Sequence, residues 1–307
     1  MLPFKLVYHP GYDLQLGEHV FPSRKYRLIH DRLLDEGAVD PWDFVEPQPV
    51  ADDDVLRVHD AGWVHRLKTG TMTEEEAIRL EIPYSEAMRN GFWLAAGGTI
   101  LAARNALRDR IGINLGGGFH HAFPGHGEGF CAIHDVAIAI RALQHEKAIE
   151  RAMVVDCDVH HGNGTAAIFA GDNSVLTLSL HQWNNYPSVK PPSTIDVHLR
   201  DGIGDEEYLE RLRGAVNLAM DFGPQLIVYV AGADPYREDQ LGGLKLTMDG
   251  LKQRDSLVFE TALQRRVPAA VALAGGYARN TEDTVSIHCN TVKEAGLALV
   301  QESKQHG

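Results

Sequence analysis

Short apolar runs alternate with longer amphipathic ones along nearly all of this 307-residue chain. Seven runs read as strands: Lys5–His9, Ile111–Leu115, Ala152–Asp156, Val175–Leu180, Ile195–Leu199, Gln225–Ala231 and Pro268–Ala274. They are dense in Val, Ile, Leu and Ala and show no helical period. Helical spacing marks Arg24–Glu36, Glu74–Leu80, Ala95–Arg108, Asp135–Glu146, Gly164–Phe169, Asp205–Phe222 and Thr247–Gln264. Strands that are apolar on both faces must be covered on both, and strands separated by helices pair in parallel. The expected fold is therefore α/β, a single domain over residues 1–307. Its central sheet is mostly parallel, with helices on both faces. The Pro- and Asp-rich segment Asp40–Asp54 interrupts the alternation and reads as a surface excursion.

Composition narrows the function classes. The apolar content of 44% is ample for a large core, and the formal net charge of −13 disfavours nucleic acid as a direct partner. A cationic peptide or small molecule is electrostatically preferred. Cys131, Cys157 and Cys289 are scattered, with no CxxC, which fits a reducing compartment. Cys157 is expected to point into the buried face, as a packing residue. No apolar run reaches 18 residues and no signal-peptide core is present, so a cytoplasmic protein without a membrane partner is expected.

In parallel α/β sheets ligands bind beyond the carboxyl ends of the strands, and five such ends carry unusual chemistry. Ile111–Leu115 runs into Gly116-Gly117-Gly118-Phe119-His120-His121. Ala152–Asp156 runs into Cys157-Asp158-Val159-His160-His161-Gly162-Asn163. Val175–Leu180 leads to His181 and Tyr186, Gln225–Ala231 to Gly232-Ala233-Asp234-Pro235, and Pro268–Ala274 to Gly275-Gly276-Tyr277. Alternate residues on an extended chain lie ~7 Å apart and point the same way. Asp158 and His160 therefore converge just past a strand end.

These parts assemble into a hydrolytic site. Asp158, His160 and Asp234 supply three ligands and leave a position open, as a catalytic zinc requires. Two histidines offer proton transfer, and a tyrosine beside the metal can hydrogen-bond a developing oxyanion. Metal, histidines and phenol together suit amide hydrolysis.

Gly-Gly-Gly-Phe-His-His, Asp-Cys-Asp-Val-His-His-Gly-Asn-Gly, Gly-Ala-Asp-Pro and Gly-Gly-Tyr, in this order and spacing, resemble the zinc-dependent histone deacetylase family, whose fold is the three-layer arginase/deacetylase type. The likeness runs from about Gly97 to Tyr277. Gly127-Glu128-Gly129-Phe130-Cys131 and Asp239-Gln240-Leu241-Gly242-Gly243-Leu244 are most similar to the class IV branch and its bacterial relatives. The resemblance implies one Zn2+ per chain on Asp158, His160 and Asp234. It implies His121 as general base and acid, His120 as its electrostatic companion oriented by Asp156, and Tyr277 polarising the scissile carbonyl. Gly129, Phe130 and Tyr186 would line a channel for an acyl-lysine side chain, with Leu241 at its mouth. Asp156 and Ser179 resemble part of an inner K+ site, and Arg24 is matched to an arginine at an inner product pocket.

Two departures stand out. Asn163 occupies a place where many members carry an aspartate partner for the second histidine, a feature of the class IV pattern. No aspartate matches the one that clamps substrate backbone at the rim in other branches; the loop Glu81–Gly91 offers Glu81 and Glu86. The uncharged Leu241 favours a neutral acyl-lysine stem over a polyamine chain, with an acetylpolyamine or other small amide as the alternative substrate. A two-manganese ureohydrolase would need further aspartates where Gly162, Gly232 and Pro235 stand. A dinucleotide oxidoreductase would need a third glycine that Gly116–His121 lacks, and a non-catalytic relative would have lost ligands or the tyrosine.

Overall fold

The computed structural model describes residues 2–306. Eight strands form one sheet: β1 (Leu6–Val7), β2 (Phe44–Val45), β3 (Ile111–Asn114), β4 (Ala152–Asp156), β5 (Val175–Gln182), β6 (Ile195–Leu199), β7 (Leu226–Val230) and β8 (Ala269–Ala272). Their order is β2-β1-β3-β8-β7-β4-β5-β6, and every adjacent pair is parallel. The five central strands are buried along their whole length, as their apolar sequences require.

Helices cover both faces. Gly112, Ala270 and Val228 are in register, as are Ile113, Val271 and Tyr229, so the two rows point to opposite sides. On one side the Glu86–Asp109 helix packs so closely that a Cβ at Gly112 would stand 2.1 Å from the Ala102 carbonyl oxygen; only glycine fits there. On the other side the Tyr229 hydroxyl donates to Asp255 of the Met248–Gln264 helix at 2.6 Å.

Three parts of the fold add to or depart from the sequence expectation. Asp40–Asp54 runs largely along the surface, as expected, but it also carries the edge strand β2 and is anchored to the core. Asp43 is fully buried, with its Oδ2 accepting from the Leu2 and Asp40 backbone N–H groups at 3.0 Å. Asp43 is thus an acceptor for backbone groups that folding removes from water. Asp52 accepts from the Trp93 indole at 3.0 Å. The long helix begins at Glu86 and not Ala95, because Ser85 caps it by accepting from Met88 N at 3.0 Å. Helices Ala61–Thr69 and Thr281–His306 were not expected.

Candidate active site

Five adjacent strands in the order β3-β8-β7-β4-β5 deliver all five chemically unusual strand ends to one sheet edge. Asp158, His160 and Asp234 are buried, and their ligand atoms lie within 4.8 Å of one another. Asp158 Oδ1 stands 2.9 Å from His160 Nδ1, and Asp234 Oδ2 lies 3.4 Å from the same nitrogen. One further oxygen of each carboxylate is tied to a neighbouring strand's loop. Asp158 Oδ2 accepts from Gly275 N at 3.0 Å and Asp234 Oδ1 from Val159 N at 2.8 Å.

The trio fits a divalent cation on the structure's own terms. Asp234 Oδ2 is buried and has no hydrogen-bond partner, a costly condition that a bound ion relieves. A Cβ at Gly275 would come within 2.0 Å of Asp234 Oδ2 and 2.4 Å of Asp158 Oδ2, so glycine keeps the space around the donors open. The cluster also attracts positive charge. Burial disfavours a charged His160, yet Asp158 and Asp234 outweigh it and raise the group to about 10. Burial and the Asp158 carboxylate push Asp234 up to about 7. Two carboxylates and an imidazole suit zinc or a similar divalent ion.

Above the trio sit two histidines with opposite electrostatics. The rings of His120 and His121 are 4.0 Å apart. His120 Nδ1 lies 2.7 Å from Asp156 Oδ2. Burial pushes His120 down, but Asp156 and Asp158 overcome it and bring it to about 9. His121 is held well below the usual range by burial, then by the charges of His120 and His160. Its Nδ1 faces Asn163 Oδ1 at 2.6 Å. The two histidines are thus pushed in opposite directions, His120 up and His121 down, a separation typical of acid–base sites.

Tyr277 follows β8 and is buried, its ring 6.3 Å from that of His160. Burial, Asp158 and Asp234 all raise its phenol, so it stays protonated and available as a donor. A channel of about 170 Å³ reaches this floor. It is lined by Gly129, Phe130, Tyr186 and Leu241, with Glu81 and Asn185 added and His121, His160 and Tyr277 at the base. Phe130 sits at φ 67°, a strained conformation for a side chain of that size. Its N–H donates to the Leu80 carbonyl at 3.0 Å.

The sequence-matched residues thus come together with one exception. Arg24 is exposed, at the start of the Lys25–Asp35 helix. Consecutive helical residues point about 100° apart, so only one of two adjacent cations can face inward, and here it is Lys25. Lys25 is fully buried, donates to the Ala274 carbonyl and lies 5.9 Å from the Tyr277 ring. Burial lowers its pKa to about 8 against the pull of Asp234, Asp158 and Asp239. Asp156 and Ser179 are buried and directly opposite in the β4–β5 register. Cys157 is buried, and burial raises its thiol to about 12, as a packing residue should show.

Several supporting residues have no role in the sequence expectation. Asp135 accepts from Phe119 N at 2.7 Å, Gly118 N at 2.9 Å and the Thr99 hydroxyl at 2.6 Å, and so shapes the loop bearing the two histidines. Asp239 accepts from Tyr277 N at 2.7 Å and Leu241 N at 2.8 Å, tying the phenol's loop to the channel mouth. Buried Arg254 donates to the Gly232 carbonyl just before Asp234. Glu128, within a quoted motif but given no role, accepts from Asn163 Nδ2 at 2.6 Å.

The histone deacetylase domain model matches residues 19–292, and the chain belongs to that family of deacetylase hydrolases. Histone deacetylase 2 of Arabidopsis thaliana is 31% identical over 95% of this chain and 79% of its own. The fold matches the HD domain of HDA15 with a TM-score of 0.80 at 24% identity, covering 98% of this chain and 92% of that one. It also matches the acetylpolyamine aminohydrolase of Burkholderia pseudomallei with a TM-score of 0.78 at 23% identity, over 95% and 98%. No helix among the described residues is long and apolar enough to cross a membrane.

Proposed function

We propose that this chain is a zinc-dependent lysine deacylase, cleaving acyl groups from the ε-amine of lysine in proteins or peptides. The observation that carries this reading is the channel. Four of its lining residues, Gly129, Phe130, Tyr186 and Leu241, are uncharged, which suits a neutral acyl-lysine stem entering a site with a neutral base. A zinc ion on Asp158, His160 and Asp234 would polarise the acyl carbonyl and acidify a water molecule.

The chain's own residues account for the rest. His121 Nε2 takes the proton of the attacking water and returns it to the departing amine. His120, held charged by Asp156, stabilises the negative charge that develops beside it. The Tyr277 hydroxyl donates to the oxyanion, and the aromatic walls exclude competing water. Glu81, in the channel lining, would accept from substrate backbone where other branches use an aspartate. K+ on Asp156 and Ser179 is the matching structural ion, and a cytoplasmic setting accords with three free, buried cysteines.

A second reading, hydrolysis of an acetylated polyamine or other small amide, draws on two observations. Glu81 puts a carboxylate in the channel lining, and the chain carries −13 net charge. Zinc-loaded protein assayed on acetyl-, lactyl- and myristoyl-lysine peptides beside acetylated polyamines decides between them. Faster turnover of any lysine peptide supports the deacylase; faster turnover of a polyamine replaces it.

A further inference from the structure

Strands β5 and β6 pair with Ser179 opposite Asp196 and His181 opposite His198. Residues two apart on a strand share a face, so these four side chains form a patch at the sheet's outer edge. The loop after β4 adds His161, whose ring stands edge-on to that of His181 at 4.5 Å. Apart from Ser179, none of these residues belongs to the site above.

We propose that His161, His181 and Asp196 form a second cation site, specific for a divalent transition-metal ion such as zinc. Their ligand atoms lie within 4.8 Å of one another, as do those of the Asp158–His160–Asp234 trio. Ligands about 2.05 Å from a tetrahedral ion are about 3.3 Å from each other. His161 Nε2 and Asp196 Oδ1 are 3.2 Å apart. His198 Nδ1 lies 3.0 Å from His181 Nε2.

Three further observations favour an ion over a simple hydrogen-bonded cluster. Asp196 Oδ1, the oxygen that faces His161 Nε2, is buried and makes no hydrogen bond. Ser179 Oγ engages His181 Nδ1 at 3.0 Å and thereby aims Nε2 at the cluster, the support a ligating histidine normally receives. His198 is exposed, which gives an ion a path in. Two imidazoles with one carboxylate select transition metals over potassium or magnesium. The site would also brace the catalytic floor. His161 directly follows His160, and its N–H donates to the Tyr186 carbonyl at 3.4 Å.

The test counts zinc per chain by mass spectrometry after equilibrium dialysis in zinc-buffered solution at constant potassium chloride. The parent is expected to lose one ion on His181→Gln and one on Asp196→Asn, while Asp158→Asn/Asp234→Asn keeps one. Cobalt bound to that double variant should show visible ligand-field bands that adding His181→Gln removes. Zinc content unchanged by both His181→Gln and Asp196→Asn overturns the proposal. Should those two variants fail to fold by circular dichroism, the double variant decides: one retained ion supports the site and none overturns it. The two sites are read separately, because failure of the Asp158–Asp234 assignment shows as an unchanged count in the double variant alone.

Discussion

Asn163 donates through Nδ2 to Glu128 Oε1 at 2.6 Å, and this one bond sets which end of the amide faces His121. A carboxylate only accepts, so the amide must turn its Nδ2 toward Glu128 and its Oδ1 toward His121 Nδ1, 2.6 Å away. His121 Nδ1 then carries the proton, and Nε2 keeps the lone pair that a general base needs. A neutral amide thus fixes the tautomer without the charge that an aspartate would bring.

Asn163→Asp tests the electrostatic side of this arrangement. A base works only when deprotonated, so activity rises with pH through its pKa. His121 lies below the usual histidine range in the parent, which puts the acidic limb of the pH–rate profile on the acid side. An added carboxylate raises that pKa. The limb should therefore move to higher pH, and activity near pH 6 should fall relative to the plateau. A limb that stays in place would mean that His121 is not the titrating group.

Glu128→Gln tests the geometric side. A glutamine can present either amide end to Asn163, so the reason for Asn163 Oδ1 to face His121 disappears. Turnover is expected to drop roughly tenfold with a smaller change in KM, consistent with the loss of one charge-assisted hydrogen bond of about 1.5–3 kcal/mol. A change in KM alone would assign Glu128 to substrate binding, through its contact with Tyr186.

Tyr277→Phe isolates the oxyanion donor. Phe keeps the ring packed against Phe130 at 5.9 Å and Phe21 at 6.3 Å. Only the hydroxyl is lost, at a cost of about 3–4 kcal/mol, or about 10²–10³ in kcat. Metal content and KM should change little. Turnover within about threefold of the parent would remove Tyr277 from the mechanism.

Asp158→Ala and Asp234→Ala should each abolish turnover and release one divalent ion per chain. Asp234 Oδ2 is the orphaned atom of the cluster, so its removal cannot be offset by another protein contact. Undiminished metal content, measured after dialysis, would rule out these ligands.

Much of this protein was legible in its sequence because much of its chemistry is local. Strand and helix periods are properties of neighbouring residues, and Asp158–His160 or Gly275–Tyr277 sit within a few positions of one another. The strand ends and the grouping of Asp158, His160 and Asp234 with two histidines and a tyrosine could be read from such runs, whereas the channel walls came from the family resemblance. Tertiary structure decided what depends on distant partners. Lys25 faces inward and Arg24 outward because the helix sets their directions against β8, 249 residues away for the Lys25–Ala274 bond. Glu128 meets Asn163 across 35 residues, and Asp43 finds Leu2 across 41. No local pattern encodes such pairs. They exist because the sheet order brings remote strand ends together, and a buried charge then takes whichever partner that topology supplies.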